Sequence, residues 1–411
     1  MKLAFVVQRY GAEFVGGAEK YGRALATGLA AMGHEVTVVT SCATDYADWA
    51  DVYEPGVVVD EGVTVHRVPV RAPRDNDLFI PLHLRAVDRS DLPLWPLAQE
   101  RWGRTMGPDL TPAAPLVREV AAEVDVTTFI GYHYGHTLLM AGTAAAVGAT
   151  IVAPTAHPEG AFHVGRVGRM FDHADRILCL APEEADLVRD TYGHTDRIAV
   201  VPCPVEPVEV PTAEAIARAT RTHGVSEGRY AIVVGRIDPA KGSDDAVRFA
   251  TTYRRCLDPD FELVVVGPGG DESTETPGIV STGFVDDQTK DALVAGASVL
   301  IQPSYMESFS LALMEGWLFE RPALVQRRSR VIAGHSDRSG GGITYADYLD
   351  FEAGLHALAT HPQMARDIGA RGRGYVLDQF AWPKVSSEFL SVAAEAADVG
   401  AHRLSRRRSA P

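Results

Sequence analysis

Short apolar runs recur along this chain, and several are followed by a loop and then by a helix-like pattern. The first run, residues 3–7, leads into a glycine-rich loop and then into apolar residues at spacings of four, four and three over 21–32. The next run, 35–40, completes a strand–helix–strand unit. Buried strands of this kind pair in parallel, with helices on both faces of the sheet. The remaining runs lie at 63–68, 127–130, 150–153, 176–180, 198–201, 230–234, 262–266, 279–282, 298–302 and 323–325.

A proline-rich segment divides this pattern into two. Residues 202–211 (PCPVEPVEVP) contain four prolines in ten positions, which excludes a central strand or a helix interior. We therefore place an interdomain linker there and expect two doubly wound, Rossmann-like α/β domains that face each other across a cleft. The first comprises 1–204, and a C-terminal helix at 384–400 is expected to pack back on it. The second comprises 205–383, and the basic tail 401–411 is expected to be disordered.

The charge balance restricts the partners. The 411 residues include 39 Lys and Arg against 54 Asp and Glu, a net charge of −15, and so acidic a surface disfavours binding to nucleic acid. The four cysteines have neither the spacing of a zinc site nor that of a disulfide framework. No apolar run is long enough to span a bilayer, and the opening lacks a signal-peptide core. A cytoplasmic protein with at most peripheral contact with the inner membrane face is expected.

The strongest candidate site begins directly after the run at 230–234. Gly235 opens the sequence GRIDPAKG, in which Arg236 and Lys241 lie five residues apart on a strand-to-helix loop. In a doubly wound sheet this loop lies at the carboxyl edge, where ligands bind. Two cations beside the free amide groups of a helix start suit a diphosphate, although two solvated basic side chains fit the same pattern.

A second loop follows the run at 298–302. It carries Glu307, and a helix is expected to begin near Ser308 and to place Glu315 about two turns inside. Carboxylates suit ligands rich in hydroxyl groups, because one ionised carboxylate accepts hydrogen bonds from two neighbouring hydroxyls. The alternative is structural: Glu307 caps the helix and Glu315 lies on its surface.

Together these motifs resemble those of the retaining GT4 glycosyltransferases, a family with the GT-B fold of two Rossmann-like domains. The resemblance rests on G-R-x4-K-G, followed about seventy residues later by E-S-F-S with a second glutamate eight residues after the first. It extends over almost the whole chain through 16–19 (GGAE), 155–157 (TAH), 174–183 and 380–382 (FAW).

The resemblance implies that the catalytic set is Arg236, Lys241, Glu307 and His157. Arg236 and Lys241 would bind the diphosphate of a nucleotide-sugar donor, and His157 would contact the donor sugar or its phosphate. Glu307 would face the donor sugar. No metal is implied, because the two cations stabilise the leaving diphosphate. The family retains the anomeric configuration, and front-face attack, in which the departing phosphate takes the acceptor proton, accounts for this.

The rest of the implied donor site surrounds this set. Glu315 would bind the ribose hydroxyls, the turn at 283–285 would meet the nucleobase, and a glycine-rich loop would close over the donor. The residues implied are Gly16, Gly17, Gly235, Val285, Ser308, Phe309, Ser310, Leu311 and Glu315.

Two positions depart from the family pattern. Many members have Asp directly after the histidine, whereas this chain has Pro158 and then Glu159. Ser310 stands where glycine is frequent, and its side chain would narrow the sugar pocket. Both differences leave the identity of the donor sugar open.

We therefore expect a glycosyltransferase that moves a sugar from a UDP- or GDP-sugar to a hydroxyl group of a glycan, a lipid-linked sugar or a small metabolite. The nucleotide sugar is a co-substrate, and no further cofactor is expected. Two alternatives remain open: a nucleotide-sugar epimerase of the same architecture, and a non-catalytic two-domain sugar-binding protein.

Two further features are interpreted as structural. Segment 71–115, rich in proline and aromatic residues, is expected to be a packed surface excursion rather than an acceptor-binding lid. His133 and His136 lie three residues apart, but two histidines do not make a typical zinc site, so we expect loop or packing roles.

Overall fold

The chain forms two compact units. Unit 1 contains Met1–Pro204 and the C-terminal segment that begins at Trp382, and unit 2 contains Val205–Ala381. The first boundary falls within the proline-rich segment. The structure, a computed structural model, describes residues 1–88, 94–235, 237, 241–269 and 276–408.

Unit 1 is an α/β domain in which most strands are apolar runs buried from both sides. Its strands are β1 (Lys2–Val6), β2 (Glu35–Ser41), β3 (Gly56–Asp60), β4 (Val63–Val68), β5 (Val126–Ile130), β6 (Thr150–Ala153), β7 (Arg176–Cys179) and β8 (Ile198–Val200). Within the described residues they form one eight-stranded sheet with the order β3-β4-β2-β1-β5-β6-β7-β8. Neighbouring strands are parallel, except that β3 runs antiparallel to β4.

Helices connect these strands. Helix α1 (Gly17–Ala31) buries Tyr21, Leu25 and Leu29. It ends before Gly33, whose φ of 87° favours glycine. Helices α2 (Asn76–Asp88), α3 (Pro96–Met106), α4 (Ala114–Glu123), α5 (Gly135–Ala145), α6 (Gly165–Asp172) and α7 (Pro182–Tyr192) follow, with short 3-10 turns at Thr111–Ala113, Gly160–His163 and Thr195–Arg197.

Unit 2 has the same architecture. Its strands are β9 (Tyr230–Val234), β10 (Glu262–Val266), β11 (Ile279–Gly283), β12 (Val299–Gln302), β13 (Ala323–Gln326) and β14 (Gly342–Tyr345). In the described part of the chain they form a six-stranded sheet, β11-β10-β9-β12-β13-β14, in which neighbours are parallel. Its helices are α8 (Ala213–Thr222), α9 (Ser243–Cys256), α10 (Asp287–Gly296), α11 (Leu311–Leu318), α12 (Arg330–Ser339), α13 (Tyr348–Thr360) and α14 (Pro362–Gln379). The prediction of two Rossmann-like α/β domains is confirmed.

Each sheet contains a point at which the strand order reverses. In unit 1 the order runs outward from β1 on one side and from β5 on the other, and in unit 2 it runs outward from β9 and from β12. The carboxyl ends of the strands beside such a point form the ligand crevice of doubly wound folds. The loops after β9 and β12 carry the two motifs predicted for unit 2, so the topology brings both motifs to one edge of the sheet.

Sequence periodicity misses two strands. Strand β3 forms an edge of the sheet, and Val57, Val58 and Val59 are exposed, so it does not resemble a buried strand. Strand β14 has the sequence GITY, which is too short an apolar run to be recognised.

Segment 71–115 contains α2 and α3. Trp102 on α3 is fully buried, and Phe79 on α2 packs against the core of unit 1. Trp95, in contrast, is 73% exposed. Much of the segment therefore consists of helices that pack against the core of unit 1.

The prediction of a disordered tail over 401–411 is wrong for the described residues 401–408. Helix α15 (Trp382–Arg408) belongs to unit 1 and continues through them. Arg403 donates to both carboxylate oxygens of buried Asp175 and to the Gly148 carbonyl, each at 2.9 Å, and also to the Ala145 carbonyl. The order of the tail comes from these contacts. Among the helices described, α15 included, none is both long and apolar enough to cross a membrane.

We predict that Arg403→Met destabilises unit 1 by about 2–4 kcal/mol, because it leaves the buried Asp175 carboxylate without its cationic partner. Urea unfolding followed by tryptophan fluorescence measures the change. Arg407→Met, at an exposed position one turn further along α15, is the control and should change stability by less than about 0.5 kcal/mol. Equal stability of the two variants would contradict a stabilising role for the Arg403 contacts.

Candidate active site

The two motif loops of unit 2 meet at a glycine. Gly242, the N-cap of α9, has a φ of 67°, and a Cβ atom there would lie 2.2 Å from the carbonyl oxygen of Pro303. Pro303 is the first residue after β12. A side chain at position 242 would therefore push apart the loop after β9 and the loop after β12.

Lys241 and Glu307 form an ion pair between these loops. Lys241 Nζ donates a hydrogen bond to Glu307 Oε1 over 2.8 Å. The Glu307 side chain is 14% exposed and that of Lys241 is 40% exposed, so the carboxylate is the more enclosed partner. Two residues predicted from separate motifs are therefore in direct contact.

Side-chain hydrogen bonds hold the loop between β12 and α11. The Tyr305 hydroxyl donates to Asp245 in the first turn of α9, and the Gln302 amide donates to Ser310 Oγ. The first bond ties this loop to the helix that follows Lys241. The second joins the end of β12 to the start of α11.

Ser310 determines where α11 begins. Its φ of 79° and ψ of 80° are left-handed, so it serves as the N-cap and the helix starts at Leu311. The predicted helix start near Ser308 is wrong by three residues, because a left-handed residue cannot belong to a right-handed helix. A non-glycine residue in this backbone conformation carries a strain of about 1–2 kcal/mol. Glycine, which is frequent at this position in the GT4 family, avoids that strain.

The start of α11 is suited to an anion. In the described structure Ser310 makes no side-chain capping bond to the helix. The first amide groups of α11, from Leu311 onward, lack partners within the helix, and the helix dipole adds positive potential there. Glu307 and the half-buried Ser308 lie on the loop that leads into this terminus.

Glu315 lies one turn inside α11, not the two turns predicted, because the helix begins later than expected. Its Oε2 is 3.1 Å from Nζ of Lys290 on α10, which also lies near Asp287 and Asp291. Burial alone would lower the pKa of Lys290, but Glu315 and the two aspartates outweigh burial and raise it well above its usual value. Sequence reasoning missed Lys290, which belongs to no spacing motif.

The remaining predicted residues of unit 2 are Gly235, Arg236 and Val285. Gly235 follows β9 with a φ of 142°, in the region that favours glycine. Val285 is half-buried and follows β11, which β10 separates from β9. Arg236 lies outside the described residues.

Gly16 and Gly17 begin α1 in unit 1. Gly16 is the N-cap, and a Cβ atom there would lie 2.2 Å from Glu19 Oε2. Glu19 is buried and accepts hydrogen bonds from Arg9 Nε at 2.9 Å and Nη2 at 2.5 Å. This buried ion pair fixes the loop between β1 and α1. Arg9 was missed in the sequence, where it appears only as a basic residue after the first strand.

His157 lies in the loop after β6, on a turn that a buried carboxylate shapes. Thr155 has a φ of 50°, and the Ala156 amide donates to Glu184 Oε1 at 2.5 Å. Glu184 also accepts from the Leu180 amide at 2.6 Å. Burial raises the pKa of Glu184 to about 8, although the two amide bonds oppose the rise. Glu184 thus orients the turn that carries His157, a role that no motif predicted.

Glu159 is the acidic neighbour of His157. Its Oε1 lies 3.7 Å from His157 Nδ1, and it accepts a hydrogen bond from the Tyr132 hydroxyl. Burial alone would raise the pKa of Glu159, but His157, His133 and Tyr132 outweigh burial and lower it. The carboxylate is therefore kept ionised although Pro158 displaces it by one position from the family's Asp.

Two other histidines follow β5. His136 is fully buried, and its Nε2 lies 2.8 Å from the Ile130 carbonyl. Burial lowers the pKa of His136 to about 3 and that of His133 to about 4. Neither forms part of a metal-binding group: within the described ranges, no three His, Cys, Asp or Glu side chains are arranged to hold a metal ion.

A buried aromatic cluster supports the Glu307 loop. Phe309 is 3% exposed and packs edge-on against His335 and Phe380, with ring centroids 5.4 and 5.0 Å apart. His335 Nδ1 lies 3.0 Å from the Tyr375 hydroxyl oxygen. Burial lowers the pKa of His335 to about 3, so its ring is neutral. The Phe309 ring therefore belongs to the core of unit 2, so a ligand contact at this position would be made by the backbone.

Two family models match the chain. Residues 16–204 match the glycosyl transferase 4-like domain, and residues 228–359 match glycosyl transferases group 1. The matches include the loops that carry His157, Lys241 and Glu307. The chain belongs to the GT4-like glycosyltransferases. The sequence left three classes of protein open. Membership of this family favours the sugar-transferring enzyme over the epimerase and the sugar-binding protein.

Curated relatives of this GT4-like glycosyltransferase span nearly the whole chain. The D-inositol 3-phosphate glycosyltransferase of Acidothermus cellulolyticus is 29% identical over 377 residues, which cover 87% of this chain and 78% of the relative. The enzyme of the same name from an Arthrobacter species is 27% identical over 418 residues, which cover 97% and 95% of the two chains.

Solved structures share the fold of the GT4-like glycosyltransferase. HepE from Anabaena, solved with UDP and glucose, has a TM-score of 0.69 at 13% identity, covering 96% of this chain and 99% of HepE. Sucrose-phosphate synthase from Thermosynechococcus elongatus has a TM-score of 0.64 at 15% identity, covering 96% and 98%. The predicted GT-B fold class is confirmed.

We predict that acid destabilises the GT4-like glycosyltransferase in part through His335. Because the pKa of His335 is lowered from 6.5 to about 3, the folded protein keeps the ring neutral while the unfolded chain binds a proton below pH 6.5. The buried neutral His335 therefore contributes its full stabilisation above pH 6.5, and this contribution decreases as the pH falls from 6.5 towards 3. His335 alone should remove about 2 kcal/mol between pH 7.5 and 5, measured by urea unfolding at both values.

His335→Gln removes the titrating ring and keeps a hydrogen-bonding side chain beside Tyr375. Over the same pH interval this variant should lose about 2 kcal/mol less than the unaltered protein. His402→Gln, at an exposed position, is the control and should lose as much as the unaltered protein. A His335→Gln protein that shows the full acid loss would refute the assignment.

Proposed function

We propose that this glycosyltransferase transfers a sugar from a nucleoside-diphosphate sugar to a hydroxyl group of an acceptor, with retention of the anomeric configuration and without a metal ion. The observation that carries the proposal is the Lys241–Glu307 pair at the carboxyl edge of unit 2. It lies where β9 and β12 flank the reversal of strand order, the position at which doubly wound sheets bind nucleotides.

Lys241 is the cation proposed to bind the donor diphosphate. It precedes Gly242 and α9, and through Glu307 it contacts the loop that leads to the start of α11. A diphosphate at this edge would meet a side-chain ammonium group and helix-terminal amide groups together. Arg236 is proposed as a second cation on the strength of its sequence motif.

The chemistry needs positive charge at the leaving group. Breaking the anomeric C–O bond places negative charge on the departing diphosphate and oxocarbenium character on the sugar. Fixed cations that strengthen their interaction as this charge develops lower the barrier. Lys241 and Arg236 thus supply the charge that a divalent cation would otherwise supply, which supports a reaction without a metal.

Glu307 is proposed as a contact of the donor sugar. Its Oε1 is engaged by Lys241 at 2.8 Å, and a carboxylate held by an ammonium group is a poor nucleophile. It can still accept hydrogen bonds from sugar hydroxyls through its remaining lone pairs. Retention then requires front-face attack, in which the acceptor hydroxyl attacks from the side of the leaving group and the departing phosphate takes its proton. His157, beside Glu159, is proposed to contact the donor sugar or its phosphate.

The names of similar proteins favour one donor and one class of acceptor. HepE, which shares the fold, was solved with UDP and glucose, and the curated relatives are named D-inositol 3-phosphate glycosyltransferases. They support a UDP-sugar ahead of a GDP-sugar, and a small phosphorylated polyol ahead of a glycan or a lipid-linked sugar. We propose that pair of substrates.

We predict that Lys241→Met lowers the turnover of the UDP-sugar donor about 10²–10³-fold, because one donor to the developing negative charge is lost. Arg236→Met should have an effect of similar size. Initial rates of UDP release, measured with a panel of UDP-sugars and a phosphorylated polyol, test both variants.

Lys2→Met is the matched control for these substitutions. Lys2 forms an exposed pair with Glu35 at 3.3 Å in unit 1, so its loss should leave the rate within about twofold. Lys241→Met turnover at the unaltered rate would overturn the proposed role. Binding of neither UDP nor GDP by the unaltered protein in a thermal-shift assay would overturn the proposed function as a whole.

We predict that an α-linked donor gives an α-linked product, which the anomeric coupling in a proton NMR spectrum of the product reports. EDTA should change the rate by less than about twofold, because Lys241 and Arg236 provide the positive charge. A β-linked product would exclude retention. Activity that EDTA abolishes and Mg²⁺ restores would exclude the metal-independent mechanism.

A further inference from the structure

A second ion-pair cluster lies in unit 2, around the residue proposed to bind ribose. Lys290 Nζ lies 3.1 Å from Glu315 Oε2, 3.3 Å from Asp287 Oδ1 and 3.4 Å from Asp291 Oδ1. The Lys290 side chain is only 15% exposed. One ammonium group is therefore enclosed among three carboxylates.

We infer that Lys290 is a positioning residue, which holds Glu315 in the orientation that accepts the ribose hydroxyls of the donor nucleotide. This inference rests on the proposed function, in which Glu315 contacts the ribose.

Of the three carboxylates near Lys290, the geometry favours Glu315 as the one that Lys290 positions. Asp287 and Asp291 lie on α10, the same helix as Lys290, whereas Glu315 comes from α11 and makes the shortest of the three contacts. Lys290 thus connects the helix that follows β11 to the helix that follows β12. A glutamate side chain held before the nucleotide arrives loses less conformational freedom on binding, so its hydrogen bonds contribute more to affinity.

Lys290 also offsets a repulsion. The Asp291 and Glu315 side chains are each 22% exposed, and their carboxylates lie 3.4 and 3.1 Å from the same ammonium group. Burial and the charge of Glu315 raise the pKa of Asp291, although Lys290 opposes the rise. Without Lys290 the two carboxylates repel each other, and Glu315 rotates away from the orientation in which Lys290 holds it.

The contact with Lys290 is compatible with ribose binding. A carboxylate has about four acceptor sites on its two oxygens. Lys290 together with two ribose hydroxyls requires three of them. The ammonium group and the nucleotide are therefore partners of one carboxylate rather than competitors.

The experiment compares UDP with 2′,3′-dideoxy-UDP by isothermal titration calorimetry on the full chain. In the unaltered enzyme we expect UDP to bind about 10- to 100-fold more tightly, since the dideoxy compound lacks both hydroxyls that donate to Glu315. If GDP is the diphosphate that binds, GDP and its dideoxy form take their place.

Lys290→Met should reduce this discrimination to about threefold or less, mainly by weakening the binding of UDP. Glu315→Gln should reduce it similarly. The double variant Lys290→Met/Glu315→Gln should show little further loss, because both substitutions disrupt the same interaction. Lys2→Met is the matched control and should keep the full discrimination.

Other outcomes would overturn the inference. If Lys290→Met weakens UDP and dideoxy-UDP by the same factor, Lys290 acts on the phosphates or only on folding. If the variant discriminates as well as the unaltered enzyme, Lys290 does not orient Glu315. If the unaltered enzyme binds neither UDP nor GDP, the proposed function falls and the inference falls with it.

Two conservative variants keep the test decisive if Lys290→Met fails to fold. Lys290→Arg preserves the charge and should keep the discrimination within about threefold of the unaltered value. Lys290→Gln preserves a hydrogen-bond donor without the charge and should show a discrimination between those of Lys290→Arg and Glu315→Gln. Loss of discrimination in Lys290→Arg equal to that in Glu315→Gln would also contradict the inference.

Discussion

The close approach of Gly242 to Pro303 is the constraint on which the unit 2 site depends. Because a Cβ atom at position 242 would lie 2.2 Å from the Pro303 carbonyl oxygen, the start of α9 and the end of β12 come together only through a glycine. That contact brings Lys241 to Glu307 and lets Tyr305 bond to α9. Unit 1 fixes its own loops differently, with the buried carboxylates of Glu19 and Glu184. In both units these loops follow strands that flank the reversal of strand order or that neighbour such a strand.

Much of the sheet structure was predictable, because buried parallel strands are continuous apolar runs. Strands β4, β9 and β10 coincide residue for residue with the runs seen in the sequence. The exposed strand β3 was not predictable on that basis, because its antiparallel edge position exposes its valines. The order of the tail was not predictable either, because it depends on contacts between Arg403 and Asp175, which lie 228 residues apart. Contacts between residues so far apart in the chain cannot be predicted from local composition.

The candidate site shows the same division. Motif spacing was enough to single out Lys241, Glu307 and Glu315 as candidates, because cations and carboxylates at strand ends are the groups that the proposed nucleotide-sugar donor would contact. The later start of α11 depends on the left-handed backbone of Ser310, which Gln302 and the surrounding loop hold in place. The pairing of Lys290 with Glu315 depends on how α10 and α11 pack in the folded unit. Neither the start of α11 nor this ion pair can be predicted from the spacing of residues along the chain.

The return of α15 to unit 1 has a consequence for biosynthesis. A ribosome makes the continuous segment of unit 2 before it makes the helix that completes unit 1. During translation the Asp175 carboxylate therefore has no guanidinium partner until Arg403 has left the exit tunnel. Domains commonly mature in the order in which they are synthesised. Here unit 2 has all of its residues before unit 1 does, and the nascent unit 1 is completed only when α15 has been synthesised.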